Sequence, residues 1–529
     1  MRTRDILNPR LSLACYKMKL LTGLRRLMRS EITSKPARSD RIVAILLGLG
    51  SAAVVVWQNS RLTVLWDLAY ILEIASRIAA GDVPYCDFPF PYAPLTFIVQ
   101  ALLIRISGRA LWHHVAYAAI ACAIATGLTY FIVRRITASR LVSVILTLLL
   151  IVLGIYCVFP HPFYDPDCCL VVLCVIALML RDDDSIALGV LAVVPLFVKQ
   201  NIGLALLAAM IVVALVRRRW RTLGGIAIGG GAALLLVATI FGLGNYVQWT
   251  IRFAAARRLP SIAQQLETYN DPVLWWWLTC VVGGAFIARR WRIAGIVLIA
   301  MPWLWTLWRF FAADDPLEPQ INLLRTWPLM IVIALLLIRN PIAFIIFATI
   351  QGTFLSQSTW GSTYGIWPLL VILFALAFER LGIDRLSIAL AALIVAVTLF
   401  AAVRYVVLEE RLKYAKVFEP WRPEFASLVV WTDRNIPRDD AILCLPGEDL
   451  FYFTTGRRPR VPVLMFDRTI NPFDAKAIAS FRDVRWVIVK KRLQLNGAPM
   501  ENEEEVLRLL APHLTPAAHL PNYDVYRRQ

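Results

Sequence analysis

Long apolar runs separated by short basic clusters set the pattern of this chain. Runs without Asp, Glu, Lys or Arg cover 42–58, 112–133, 141–159, 168–180, 185–198, 201–216, 222–243, 272–288, 293–308, 326–338, 341–354, 362–378 and 386–403. A spanning helix needs about 20 apolar residues and about 17 can serve, so the pattern predicts a polytopic bundle of transmembrane helices. The run at 92–104 is shorter and is followed by Arg105.

The basic clusters orient the bundle. They are Arg134, Arg135 and Arg140; Arg217, Arg218, Arg219 and Arg221; Arg289, Arg290 and Arg292; Arg339; and Arg380 with Arg385. Successive clusters are separated by an even number of runs, so all of them can lie on the cytoplasmic side. From the basic N-terminus to Arg134 the number is odd. One run there should not cross, and 92–104 is the weakest, so it is expected along the membrane surface. The result is about thirteen crossings with the N-terminus inside. The outer face then collects 59–111, 160–167, 199–200, 244–271, 309–325, 355–361 and 404–529.

The tail changes character. Ala441–Leu445 and Trp486–Val489 read as short strands, 422–435 and 501–511 as helices, and Tyr523–Tyr526 as an edge strand. These predict a small α/β domain able to hold its own core. Three parts follow: a basic cytoplasmic tail at 1–41, a transmembrane domain at 42–403 with a large first outer loop at 59–111, and an extracytoplasmic α/β domain at 404–529.

Composition agrees. The 529 residues are 59% hydrophobic and 17% charged, against roughly 45–50% and 25% in soluble chains. This excludes a disordered chain, a coiled coil and an ordinary soluble enzyme. The net charge is +19, but its basic residues cluster between apolar runs, which is the loop pattern of a membrane protein rather than a nucleic-acid surface. Cys122, Cys157, Cys168, Cys169, Cys174 and Cys280 fall inside apolar runs as small packing residues. Cys86 and Cys444 would pair only if both faced an oxidising compartment.

The first outer loop carries the most chemistry. Trp66-Asp67 follows the first helix, 67–80 has an amphipathic pattern ended by Gly81, and Pro84, Tyr85, Phe88, Pro89, Phe90, Pro91, Tyr92 and Pro94 crowd the next stretch. Backbone this rich in proline cannot be helical and is expected to form a rigid aromatic surface at headgroup level. The order helix, Trp-Asp, amphipathic helix, Gly-Asp-x-Pro-Tyr, aromatic-Pro, Tyr-x-Pro-Leu resembles the first periplasmic loop of GT-C fold glycosyltransferases. These include bacterial relatives of the protein O-mannosyltransferases and the lipid A aminoarabinose transferase. The resemblance implies an all-α GT-C-like membrane fold and a catalytic carboxylate at Asp67. Two departures stand out: many members have Asp-Glu where this chain has Asp67-Leu68, and many carry an acid where it has Phe90–Leu95.

Four further groups are candidates. His161-Pro162-Phe163-Tyr164-Asp165-Pro166-Asp167 follows a span; Asp165 and Asp167 form a second acidic site and, with His161, would suit a divalent cation. Equally, Asp165 could cap a helix with Pro166 in its first turn. Lys199-Gln200-Asn201 interrupts two apolar runs, and a lysine there costs about 2.5–3.5 kcal/mol on insertion scales. It either faces a polar cavity or phosphate, or snorkels to the interface. Arg252, Arg257, Arg258, Arg309 and Arg325 are outer-facing donors suited to an anionic polyprenyl phosphate; Arg257, Arg258 and Arg325 join Lys199 as the expected donor-phosphate set. Finally, Trp360–Pro368 is an aromatic loop ending in a Pro-Leu helix start, fitting either a donor-cavity cover or an interfacial belt.

There is no Walker A sequence, no dinucleotide fingerprint, no His-Glu-x-x-His and no zinc-spaced cysteine pair. A sugar-nucleotide donor is therefore not expected, and the resemblance implies inverting transfer of a sugar from a polyprenyl-phosphate donor to a saccharide, lipid or protein hydroxyl. It would occur at the outer face of a bacterial inner membrane, with no certain cofactor. A transporter or flippase for lipid-linked saccharides is the alternative, and it would be marked by inverted repeats or matched broken helices. No such repeat is visible. The topology predicts that cysteines introduced at Ser34 and Asn496 in a cysteine-depleted background label from opposite sides of the membrane. Labelling of both by an impermeant reagent from outside would refute it.

Overall fold

The computed structural model describes residues 38–60, 65–258, 261–267, 270, 272–312, 329–355, 365–407, 423–461, 463–466, 483–492 and 513–528. Helices come in the order α1 Arg38–Asn59, α2 Leu65–Ala79, α3 Leu95–Ser107, α4 Leu111–Ile136, α5 Arg140–Leu148, α6 Leu150–Leu153, α7 Tyr164–Arg181, α8 Ile186–Val193, α9 Pro195–Val198, α10 Gln200–Arg217 and α11 Trp220–Leu236. Two π-helical stretches and three short helices lead to α12 Pro272–Ile287, α13 Arg292–Ala312, α14 Leu329–Leu336, α15 Pro341–Phe354, α16 Trp367–Leu381 and α17 Arg385–Val407. The small C-terminal part holds α18 Pro423–Asn435, β1 Ala441–Leu445, α19 Phe451–Thr455, β2 Val484–Lys490, β3 Leu514–His519 and β4 Tyr523–Arg528.

The chain is thus a mainly helical membrane protein with one small sheet. Six described helices are long and apolar enough to cross a bilayer: Arg38–Asn59, Leu111–Ile136, Gln200–Arg217, Trp220–Phe241, Arg292–Ala312 and Arg385–Arg404. The other expected crossings rest on shorter or interrupted helices. The 141–159 run turns out of helix at Gly154, and the 185–198 run is divided ahead of Pro195. Helix α3 spans about 20 Å at 1.5 Å per residue, against about 30 Å of hydrocarbon. Its Arg105 donates to the carbonyls of Ala79 at 3.0 Å and Ile78 at 3.3 Å, so this charge closes the C-terminus of α2, where the helix dipole favours a cation.

Two expectations for the segment after α1 are corrected. The amphipathic pattern over 67–80 implies one wet face, but the C-terminal domain covers it: Glu73 and Arg77 are buried, like Leu72 and Ala75. The Pro-aromatic stretch is packed inward rather than displayed as a surface. Tyr85, Phe88 and Phe90 are at most 3% exposed, and Phe90 meets Phe97 edge-on with ring centroids 4.7 Å apart. Edge-to-face packing of this kind favours burial of whole rings. Gly81 ends α2 at φ +107, where a side chain would be strained.

In the sheet the order is β1-β2-β4-β3. Strands β1 and β2 run parallel with Cys444 opposite Ile488, and β2 and β4 run antiparallel with Ile488 opposite Val525. The Trp486–Val489 run is β-branched and aromatic, which suits the buried centre of a sheet. Tyr523–Arg528 is therefore an interior strand, not the expected edge. Among the described strands the edge on this side is β3, which carries Pro516 where the pairing slips; a residue without an N–H is tolerated at an edge. The helix expected at 501–511 lies outside the described residues. Cys86 and Cys444 are free thiols.

Helices α8 and α11 pack backbone to backbone. A Cβ on Gly225 would lie 2.1 Å from the Ile186 carbonyl oxygen, and one on Gly189 would lie 2.1 Å from that of Thr222. Small residues permit this approach inside lipid. Gly225→Ala should lower stability in detergent by about 1–3 kcal/mol through overpacking. Gly224→Ala, with no atom within 4 Å of its Cβ, should be neutral or stabilising by up to about 1 kcal/mol. Equal unfolding midpoints for the two variants would contradict the close contact.

Candidate active site

The site forms where α2, α7 and the α9–α10 break meet. Lys199 has extended backbone, φ −148 and ψ 106, between α9 and α10. Its side chain is buried and pairs with Asp165 in the first turn of α7. The ammonium also lies 5.2 Å from the centroid of the Tyr164 ring, a cation–π distance. Lys199 therefore does not snorkel. Nor does Asp165 cap α7: the helix starts at Tyr164, its cap position is Phe163, and Asp165 is one residue inside.

Asp67 stands in the first turn of α2. Burial, and then the neighbouring negative charge of Asp165, push its carboxyl up to about 6. Among the described residues no donor hydrogen-bonds Asp67. Three sequence candidates, Asp67, Asp165 and Lys199, are thus brought together. Gly365, just ahead of α16, packs against the same corner, its Cβ position 3.2 Å from the Asp165 carbonyl oxygen.

The two carboxylates of α7 part company. Residues two apart on a helix point about 200° from each other. Asp167 faces the other way, accepting from Thr96 Oγ1 at 2.7 Å, from Tyr117 OH at 2.7 Å and from Tyr156 OH. Tyr156 holds this position at φ +67, a conformation uncommon outside glycine and costly unless its surroundings fix it. His161 is buried with its ring beside Phe159 and Phe163. Among the described residues no group of three His, Cys, Asp or Glu side chains could hold a metal ion.

In the sequence Gln200 is only a neighbour of Lys199, yet it ties the aromatic loop to the site. Its Oε1 accepts from Ala93 N at 3.2 Å and its Nε2 donates to Pro91 O at 3.1 Å. Asn201 donates to the Gly352 carbonyl at 2.8 Å. No local pattern marks Glu73 and Arg77, whose partners across the interface lie almost 400 residues away; Asp82, within the Gly-Asp-x-Pro-Tyr motif, pairs with Arg77 and with the distant Arg458. Of the expected phosphate donors, Arg257 and Arg258 end the short helix Ala254–Arg258, and their side chains lie outside the described residues, as do all of Arg325, Asp314, Asp315 and the loop at 356–364. Arg252 is exposed and Arg309 half-buried.

No protein-family model matches the chain, and no curated protein matches it in sequence. Among solved structures it is similar to ArnT from Cupriavidus metallidurans bound to undecaprenyl phosphate, at 16% identity and TM-score 0.49 over 91% of this chain and 97% of that one. The apo state of the same protein aligns at 16% identity and TM-score 0.43 over 97% and 98%. The apo oligosaccharyltransferase of Archaeoglobus fulgidus aligns at 12% identity and TM-score 0.41 over 88% and 70%.

Removing one member of a buried ion pair leaves the other uncompensated, at a cost of about 3–5 kcal/mol. Lys199→Met should therefore lower the unfolding midpoint sharply, and Asp165→Asn added to it should recover part of the loss. A single variant as stable as the parent would show that the pair does not hold these helices together.

Proposed function

We propose that this chain is a membrane glycosyltransferase of the GT-C type. It would move a sugar from a polyprenyl-phosphate donor to an acceptor hydroxyl at the outer membrane face, with inversion at the anomeric carbon. The observation that supports this most is Asp67. It is a carboxylate without a hydrogen-bond donor among the described residues, raised to about 6 beside a buried ion pair, at the start of the helix that follows the first span. A base poised near the working pH, with its lone pairs open, is what removal of a hydroxyl proton requires.

In this reading Asp67 takes the acceptor proton as the oxygen attacks the anomeric carbon. The bond from that carbon to the phosphate oxygen breaks, and polyprenyl phosphate departs already ionised, so no general acid is needed. Cations near the phosphate stabilise the charge that grows on it. We assign that part to Lys199, Arg257, Arg258 and Arg325. Asp165 holds the Lys199 ammonium in place. Asp167 is held by three hydroxyls and serves structure. A divalent cation is not needed for these steps. The polar centre lies where the first outer loop meets the bundle, which fits chemistry at the outer face better than a transporter's midplane site.

Transfer from a polyprenyl-phosphate sugar by purified protein should rise with pH through about 6 and level off above it, because the base must be deprotonated. Asp67→Asn should lower transfer about 10²–10⁴-fold. A carboxyl whose folded pKa lies above its unfolded value favours folding below the unfolded value and loses that contribution as pH rises through about 6. Asp67→Asn should therefore unfold at a higher temperature than the parent at pH 7.5 while losing activity. Near-normal turnover would remove Asp67 from the chemistry.

A further inference from the structure

We propose that Glu73 is a positioning residue, through which the C-terminal domain fixes the helix that carries Asp67. The inference rests on the reading of Asp67 as the base. Glu73 and Arg77 are one turn apart on α2 and share a face. Asp67 lies six residues before Glu73, about 9 Å along the axis and about 240° around it, so it belongs to a different face.

Glu73 is 4% exposed. Its two carboxyl oxygens accept one backbone amide each, from Tyr452 and Phe453, at 3.1 Å. These amides open α19, where a helix has no internal acceptor for them. Burial drives the Glu73 carboxyl well above its ordinary value, and the two amide bonds act the other way. An apolar side chain would pack at this contact without that penalty, so the carboxylate contributes direction rather than simple adhesion.

A second grip lies one turn on. Arg77 donates to the Val461 carbonyl at 2.6 Å and to Asp82 Oδ2 at 2.6 Å. Arg458 of the C-terminal domain donates to Asp82 Oδ1, also at 2.6 Å. Asp82 is therefore held by one arginine from each side of the interface. Together these bonds define the rotation of α2 about its axis as well as its distance from the domain. A helix with side chains has a radius of about 5–6 Å, so a turn of about 10° moves a side-chain tip by about 1 Å. A misplacement of that size costs on the order of 10²-fold in rate.

The test uses the full chain in detergent. Glu73→Ala should lower kcat about 10²-fold with the KM for the polyprenyl-phosphate sugar within about twofold. Backbone hydrogen exchange over residues 65–72 should speed up about tenfold. Glu73→Gln, which keeps one acceptor oxygen in the same place, should restore much of both. Should Glu73→Ala fail to fold, Glu73→Gln decides alone, with a smaller fall in kcat and faster exchange expected. A raised KM at unchanged kcat would put Glu73 in a binding subsite and overturn the proposal. So would exchange over 65–72 equal to the parent's. If the parent itself transfers no sugar, the functional reading fails, while the exchange comparison still decides whether Glu73 positions α2.

Discussion

Lys199 and Asp165 are separated along the chain by two apolar segments, and neither side chain belongs in an interior. Taking an ammonium or a carboxylate out of water costs several kcal/mol apiece, and only a well-made pair recovers it. The pair therefore dictates that the first turn of α7 and the break before α10 sit at one point. Asp67 lies within the field of Asp165, and Gln200, next to Lys199, holds the carbonyl of Pro91 and the amide of Ala93. The aromatic loop and the start of α7 thus meet at that contact, beside the first turn of α2.

The break that delivers Lys199 is built by its neighbours. Pro195 begins α9, and α10 then folds back so tightly that a Cβ on Gly203 would lie 2.3 Å from the Leu196 backbone. Only glycine allows that approach. Lys199 is the single extended residue between the two helices. The backbone, rather than a long flexible loop, thus sets where the ammonium can go. A charge placed this way loses little further freedom when it meets a partner.

Much of this was legible in the sequence because it is costly. Asp165 and Lys199 stand out as ionisable residues beside apolar runs, and such residues need partners; Asp67 stands out through the resemblance of the loop that carries it. Period and run length located α1, α4, α10, α13 and α17, and β-branched runs located β1 and β2. What stayed hidden depends on pairing between distant segments. Glu73 looks like the wet side of an amphipathic helix until α19 covers it. Pro84–Pro94 looks like a surface until Phe97, Phe241 and Tyr246 close on Tyr85 and Phe90. The interior place of β4 follows from a hairpin with β3 that no short pattern announces. Asp165 and Asp167 read as one acidic site in sequence because spacing alone does not say which helix face meets which neighbour.

That division of the two aspartates bears directly on which carboxylate can act as a base. Asp167 is a carboxylate surrounded by donors: two tyrosine hydroxyls and a threonine hydroxyl. Its lone pairs are occupied, and moving it would break three bonds in a dry interior, where each is expensive to lose. Asp165 is bound to an ammonium that would be left bare if it took a proton. Asp67 has neither constraint among the described residues. Burial and the nearby charge of Asp165 weaken its charged form and push its carboxyl up to about 6. Environments that push neighbouring carboxyls apart assign them different roles. Here the oxygens of two are engaged by their partners, and the third, with no donor on it among the described residues, is the one open to exchanging a proton near neutral pH.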